Sequence, residues 1–213
     1  MSLVFPRLYA IIDPALLTVS ELALAETLAE SGVELIQYRD KTASSRHFFE
    51  ISRQLSQALN PRDARFIVND RPDIALLSGA GGVHVGQDDL GVEEARAICG
   101  GGRMKDRWVG VSTHNLDQVA AADRTSADYI AFGPIFPTTT KQHPDAVVGT
   151  ELLRKARELT AKPIVAIGGI TLDRAAEVYR AGADSLAVVR DLICAENPGA
   201  RAREYLDLAA SQT

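Results

Sequence analysis

Short apolar segments rich in valine and isoleucine alternate along the chain with longer segments in which apolar residues recur three and four positions apart. The first pattern predicts buried β-strands, and the second predicts amphipathic α-helices. Eight strands are predicted, at residues 8–13, 35–39, 66–69, 82–85, 108–112, 129–133, 164–167 and 185–189. A helix is predicted after each strand, at residues 19–31, 45–59, 72–77, 92–99, 116–124, 150–159, 172–181 and 200–209.

The boundaries of these helices carry residues that favour starting or stopping a helix. Ser44, Asn115 and Thr171 precede predicted helices and are predicted N-caps. Gly32 and Gly182 follow predicted helices just before a strand, where a left-handed turn needs a residue without a Cβ atom. These signals support the division into strand and helix.

Eight strand–helix units in about 200 residues predict an α/β protein with a parallel sheet. The strands are apolar throughout rather than alternating, which is typical of a sheet covered on both faces. We therefore predict a single domain over residues 1–213 that forms a closed (β/α)8 barrel, the TIM-barrel architecture. An open, doubly wound sheet is the alternative. In a barrel, the chemistry belongs at the carboxyl ends of the strands.

Composition narrows the class of protein. Of 213 residues, 46% are hydrophobic and 24% are charged, and the formal net charge is −5. This apolar content argues against disorder, and no apolar run approaches the ~20 residues that cross a bilayer. A mildly acidic chain without a basic block is not expected to bind nucleic acid. We see no export signal, and Cys99 and Cys194 lie far apart, so we expect a soluble cytoplasmic protein without disulfides or zinc.

Polar residues cluster where the second predicted strand ends. Gln37, Arg39 and Lys41 alternate with other residues, so in an extended segment their side chains point the same way. Two cations and an amide at this spacing suit a polyanion such as a phosphate ester. An ion pair at the rim of the barrel is the alternative.

Carboxylates follow the third and fourth predicted strands. Asp70 and Asp89 would reach the same rim, and two carboxylates brought together repel unless a cation lies between them. Oxygen ligands that leave room for water and substrate phosphate are typical of magnesium. We predict a Mg²⁺ site at Asp70 and Asp89, with a helix N-cap as the alternative role for Asp70.

The remaining strand ends predict a second anion site. Ser112 and His114 lie at the end of the fifth strand, and His114 fits an acid–base or a structural role equally well. A loop of three threonines and a lysine follows the sixth strand, a glycine pair follows the seventh, and Val189 and Arg190 end the eighth. In barrels, the ends of the last two strands commonly bind phosphate through glycine-rich backbone and a short helix N-terminus. Two anion sites in one barrel suit an enzyme that joins two phosphorylated molecules.

Six motifs in order resemble the thiamine phosphate synthase family over residues 8–192: QYRDK (37–41), NDRPDIA (69–75), GVHVGQDDL (82–90), STH (112–114), GPIFPTTTK (133–141) and AIGGI (166–170). Members of this family are (β/α)8 barrels. They join an aminopyrimidine, 4-amino-2-methyl-5-(diphosphooxymethyl)pyrimidine, to 4-methyl-5-(2-phosphooxyethyl)thiazole or its carboxylated form. The reaction releases diphosphate and forms thiamine phosphate in vitamin B1 synthesis. The resemblance implies this activity for the chain, with Mg²⁺ as cofactor and the two phosphorylated precursors as partners. It leaves open the preferred thiazole form and a homo-oligomeric state.

The resemblance also implies roles for individual residues. Contact with the pyrimidine diphosphate falls to Gln37, Tyr38, Arg39, Asp40, Lys41, Asn69, Ser112 and Lys141, of which Arg39, Ser112 and Lys141 are the implied catalytic residues. Asp70 and Asp89 would hold Mg²⁺ on the diphosphate. The thiazole phosphate would be held by Thr138, Thr139, Thr140, Gly169, Val189 and Arg190. The family usually has serine where Arg190 stands, so the phosphate contact is altered at this position.

Three other functions are alternatives. A related thiazole tautomerase shares the barrel but needs no diphosphate chemistry, so it does not explain Asp70, Asp89 or the run of cations after the second strand. A binding protein for thiamine intermediates would not need the complete set of polar side chains at the strand ends. An aldolase or isomerase of sugar phosphates would call for a strand-end lysine free to form a Schiff base, whereas Lys41 and Lys141 both sit in anion-binding motifs.

Overall fold

The structure is a computed structural model that describes residues 5–100, 106–138 and 145–212. Eight parallel strands pair in sequence order, and β8 pairs with β1, so that the sheet closes into a barrel. The strands are β1 (Leu8–Ile12), β2 (Leu35–Tyr38), β3 (Arg65–Asn69), β4 (Gly82–Val85), β5 (Trp108–Thr113), β6 (Tyr129–Phe132), β7 (Ile164–Ile167) and β8 (Ser185–Val188). The closed barrel is confirmed, and the doubly wound alternative is wrong.

Helices follow the strands and cover the outside of the barrel. They are α1 (Glu21–Glu30), α2 (Ser45–Leu59), α3 (Pro72–Ser78), α4 (Val92–Cys99), α5 (Leu116–Asp123), α6 (Gly149–Leu159), α7 (Leu172–Arg180), α8 (Arg190–Ile193) and α9 (Pro198–Ala210). Two short 3-10 turns occur at Pro14–Leu16 and Asn60–Arg62. Within the described part of the chain, no helix is both long and apolar enough to span a membrane.

The predicted helix boundaries are mostly confirmed. The Ser44 hydroxyl accepts a hydrogen bond from the His47 amide at 3.3 Å. The Asn115 side-chain oxygen accepts one from the Gln118 amide at 2.9 Å. Thr171 stands at the N-cap of α7, but its side chain makes no capping bond. The Asp191 carboxylate takes that place and accepts from the Leu172 amide at 3.2 Å. A carboxylate from a neighbouring helix can thus replace a local cap.

Two glycines turn the chain as predicted. Gly32 has φ +94° after α1, and Gly182 has φ +106° after α7. Side chains rarely adopt this left-handed backbone, which glycine reaches without steric cost. Each turn directs the chain into the next strand, which keeps the strand–helix units short.

Alternation along the strands divides the apolar residues between two layers. Leu8, Ala10 and Ile12 face the helices, whereas Tyr9 and Ile11 face the barrel interior. The amino end of the interior is filled by Phe5, which stacks on Trp108 with ring centroids 5.1 Å apart. The packed amino end leaves the carboxyl ends of the strands as the place for a cavity.

Candidate active site

A cavity of about 810 Å³ opens at the carboxyl ends of the strands. Residues at or after the end of every strand line it. Most of the predicted site residues are among them: Gln37, Arg39, Lys41, Asn69, Asp70, Asp89, Ser112, Thr138, Gly169, Val189 and Arg190. Thr139, Thr140 and Lys141 lie outside the described residues.

Two side chains of the QYRDK motif do not line the cavity. Tyr38 is fully buried between the barrel and the helices, where its ring stacks on Phe48 at 5.0 Å. The Asp40 carboxylate accepts hydrogen bonds from the Thr42 and Ala43 amides at 2.8 and 2.9 Å. Contact of these side chains with the pyrimidine diphosphate was predicted, but the Tyr38 ring packs on α2 and the Asp40 carboxylate holds the loop after β2. Strand alternation is the reason, because Tyr38 follows the inward-facing Gln37.

The two cations after β2 are each held by a carboxylate. Arg39 Nη1 lies 2.9 Å from Asp13 Oδ2, and the Lys41 ammonium pairs with Asp70. The ion pairs of the alternative interpretation are therefore present at the rim of the barrel. It does not exclude anion binding, since an arginine with one ion-paired nitrogen keeps other donors. Lys41 is half exposed, which leaves its ammonium able to turn toward a ligand.

Asp70 and Asp89 lie side by side at the ends of β3 and β4. Burial raises the pKa of Asp70, and the neighbouring Asp89 carboxylate raises it further, against the opposing effect of Lys41. Asp89 Oδ2 accepts a hydrogen bond from the Gly86 amide at 2.8 Å, which fixes the carboxylate. The arrangement stores like-charge repulsion that a bound cation would relieve.

The alternative role of Asp70 as a helix cap is wrong. The N-cap of α3 is Arg71, which has no side-chain capping bond. Asp70 has the left-handed φ of 61°, and its amide donates to the His84 carbonyl at 2.8 Å. This backbone bond ties the loop after β3 to β4 and brings the Asp70 side chain next to Asp89.

The donor set fits a divalent cation with oxygen ligands. Among the described residues, no group of three or more histidine, cysteine or acidic side chains could hold a metal by itself. Mg²⁺ commonly binds through one or two carboxylates and completes its shell with water and substrate phosphate. The paired carboxylates of Asp70 and Asp89, beside the cations of β2, match that mode.

A buried chain of hydrogen bonds crosses the barrel at the floor of the cavity. Gln37 Nε2 donates to the Tyr9 hydroxyl at 2.6 Å, and the Tyr9 and Tyr129 hydroxyls are 2.9 Å apart. The Tyr129 hydroxyl lies 3.1 Å from His84 Nδ1, and His84 Nε2 lies 2.9 Å from Ser112 Oγ. No role was predicted from the sequence for these tyrosines or for His84. The available signal was a polar side chain within an apolar strand, since buried tyrosine hydroxyls need partners.

His114 joins the end of β5 to the loop after β6. Its Nδ1 donates to the Gly133 carbonyl at 2.7 Å, and its Nε2 lies 3.4 Å from Asp145 Oδ2. Both contacts hold the segments on either side of the threonine loop. These contacts favour the supporting role of the two roles predicted for His114.

The opposite side of the cavity is built from the ends of β6, β7 and β8. Gly169 has φ +62°, and a Cβ atom there would stand 2.8 Å from the Phe136 Cβ. The Phe136 amide donates to the Gly168 carbonyl at 3.0 Å, and the Arg174 guanidinium lies over the Phe136 ring at 4.6 Å. Glycine thus allows the two loops to pack closely. Arg190 begins α8, lines the cavity and is exposed.

Comparison with known protein families settles what this barrel is related to. A family model described as thiamine monophosphate synthase matches residues 8–192. The chain belongs to this family. The matched span includes all eight strands, so the family assignment covers the whole sheet of the barrel.

Individual relatives support the assignment to the thiamine monophosphate synthase family. A thiamine-phosphate synthase of Koribacter versatilis is 46% identical, with 97% of each chain covered. One of Chloroflexus aurantiacus is 43% identical, over 96% of this chain and 93% of the relative. The solved thiamine phosphate pyrophosphorylase of Pyrococcus furiosus is 34% identical and superposes with a TM-score of 0.86, over 97% of this chain and 96% of that one.

Proposed function

We propose that this protein is a thiamine-phosphate synthase, which joins a pyrimidine diphosphate to a thiazole phosphate and releases diphosphate. The family supports the reaction. The observation that carries the residue assignment is one cavity with two unlike sides. Paired carboxylates and cations line the side of β2 to β4, and glycine-rich loops with Arg190 line the side of β6 to β8. Two anionic substrates can therefore face each other across the barrel mouth.

The pyrimidine diphosphate is proposed to bind over β2 to β5. Gln37 and Asn69 are buried polar side chains on the cavity wall and suit hydrogen bonds to the pyrimidine. Arg39 and Lys41 suit the diphosphate oxygens, because charge-assisted hydrogen bonds to phosphate are strong. Ser112 lies at the end of β5, opposite these cations, and suits contact with the leaving group.

The reaction is proposed to begin with departure of diphosphate, which leaves a pyrimidinylmethyl cation that the thiazole nitrogen captures. The protein supplies no covalent nucleophile in this scheme. Arg39 and Lys41 stabilise the negative charge that grows on the leaving oxygens, and such preorganised electrostatics is usually a large catalytic contribution. Mg²⁺ held by Asp70 and Asp89 would neutralise further charge on the diphosphate. Lys141 is proposed to assist the same leaving group.

The thiazole phosphate is proposed to bind between Thr138, Gly169 and the start of α8. The first amides of a helix lack intrahelical partners and point toward the end of the helix, where they can donate to phosphate. Thr139 and Thr140 are proposed to contact the same phosphate. Arg190 adds a cation, and in the described chain no hydrogen bond or ion pair engages its guanidinium.

Arg190→Ala is expected to raise the KM for thiazole phosphate about 10-fold with little change in kcat. The reason is the loss of a charge-assisted phosphate contact, which contributes roughly 1.5 kcal/mol or more. Steady-state kinetics with each precursor varied in turn measures this change. Arg203→Ala, on the exposed face of α9, is the control for loss of a cation. An unchanged KM for thiazole phosphate would remove Arg190 from the site.

Diphosphate release from purified protein tests the reaction. Release is expected only when both precursors and Mg²⁺ are present, and omission of any one should reduce it to background. Isomerisation of the thiazole alone, with no diphosphate release, would favour the tautomerase. Tight binding of thiamine intermediates without either reaction would favour a binding protein.

The cytoplasm is the compartment that we propose. Cys99 is buried and Cys194 is exposed, and both are free thiols. An exposed free thiol is typical of a reducing compartment, where disulfides are rare.

A further inference from the structure

The hydrogen-bond chain at the floor of the cavity links two proposed substrate contacts. Gln37 stands at one end and Ser112 at the other, and Tyr9, Tyr129 and His84 connect them. Both tyrosines are fully buried, and burial raises the pKa of each hydroxyl above its ordinary value. Each hydroxyl therefore keeps one proton and can donate only one hydrogen bond.

The positions of these protons give the series of hydrogen bonds one direction of donation. The Gln37 amide donates to the Tyr9 oxygen, and the Tyr129 oxygen is the acceptor that the Tyr9 proton reaches among the described contacts. The Tyr129 proton then goes to His84 Nδ1. A neutral imidazole that accepts at Nδ1 carries its proton on Nε2 and donates it to Ser112 Oγ. The Ser112 proton is left to point into the cavity.

We propose that Tyr9 and Tyr129 are positioning residues that fix the His84 tautomer and so make the Ser112 hydroxyl a hydrogen-bond donor to substrate. At the other end, the same direction leaves the Gln37 Oε1 atom as an acceptor. This inference rests on the proposed function, because Ser112 and Gln37 matter only if substrate binds between them. The tyrosines act through His84 and Ser112 and take no direct part in the reaction.

The direction matches the chemistry of the two substrate parts. A departing diphosphate offers only acceptor oxygens, so it needs a donor from Ser112. An amino group on the pyrimidine ring offers protons, so it needs an acceptor from Gln37. The reverse direction would present a Gln37 donor to an amino group and leave Ser112 to donate to His84. The Tyr129 hydroxyl thus sets the direction in which the donors and acceptors of the cavity match those of the substrate.

The barrel makes room for this contact between side chains on non-adjacent strands. Gly110 on β5 is paired in register with His84 on β4 and with Tyr129 on β6. Because Gly110 has no side chain, the rings of His84 and Tyr129 stack across it, 5.5 Å apart and 22° from parallel. The Tyr129–His84 hydrogen bond depends on this gap.

Nitrogen-15 NMR of protein labelled at histidine tests the direction in the substrate-free protein. The His84 resonances, identified by their loss in His84→Gln, are expected to show the proton on Nε2 and an accepting Nδ1. Tyr129→Phe is expected to shift the Nδ1 resonance toward that of a nitrogen without a donor. A proton on Nδ1 in the unaltered protein would overturn the proposal without use of any variant.

Kinetics supply the second readout. Tyr129→Phe is expected to lower kcat about 10-fold while the KM for thiazole phosphate stays the same. Tyr179→Phe is the matched control. It removes a hydroxyl that donates to the Arg7 carbonyl at 2.8 Å, just before the start of β1. Unchanged kcat and unchanged Nδ1 resonance in Tyr129→Phe would refute the positioning role. The expected spectrum in a protein that never releases diphosphate would instead refute the proposed function.

Discussion

The double variant Asp70→Asn/Asp89→Asn is expected to lose Mg²⁺-dependent turnover, with kcat/KM reduced on the order of 10³-fold. The two carboxylates lie together at the ends of β3 and β4, and Asp70 has a raised pKa because burial and Asp89 both disfavour its charge. Asparagine keeps the size of each side chain but removes the negative charge that is proposed to hold the cation. Turnover measured across a Mg²⁺ titration, with a chelator as the zero point, gives the result.

Asparagine is chosen because it preserves the backbone. Asp70 has φ 61°, a left-handed conformation that asparagine adopts more readily than alanine. Asp63→Asn is the matched control, since Asp63 has φ 54°, is exposed and lies away from the cavity. The control should keep full turnover, and both proteins should unfold at similar temperatures. Near-normal Mg²⁺-dependent turnover in a folded double variant would contradict the metal assignment.

Most of the fold could be predicted from the sequence because each strand–helix unit carries its own signals. Apolar runs, caps and glycine turns located all eight strands, and the number of units favoured closure. The short helix α8 was not predicted, since four residues are too few to display a helical period. Helix α1 starts two residues later than predicted because Ser20 caps it, accepting from the Ala23 amide at 3.2 Å.

The site was predictable where position on a strand decides which way a side chain points. Gln37, Arg39 and Lys41 share one direction and line the cavity. The same alternation turns Tyr38 toward the helices, so its place within a motif did not make it a cavity side chain. The Tyr9–Tyr129 contact joins residues 120 positions apart. Such a contact depends on barrel closure and leaves no local pattern in the sequence.

Gly110→Ala is expected to destabilise the barrel by about 3 kcal/mol, which corresponds to roughly 10 °C in Tm for a chain of this size. A Cβ atom at Gly110 would overlap the Tyr129 ring, since the three nearest atoms all belong to that side chain. The ring is fully buried among interior side chains and has little room to withdraw. Thermal unfolding followed by circular dichroism measures the loss. Gly91→Ala is the control, because its Cβ would meet only the end of the flexible Glu94 side chain.

A double-mutant cycle with Tyr129→Ala separates the ring from the backbone as the cause. Tyr129→Ala alone should cost about 3–5 kcal/mol through the cavity that it leaves. In that background the further cost of Gly110→Ala is expected to fall below about 1 kcal/mol, because the overlapping atoms are gone. An equal cost in both backgrounds would place the effect in the β5 backbone instead. The expected result would mean that one missing side chain on β5 serves both the packing of the barrel and the link between Tyr129 and His84.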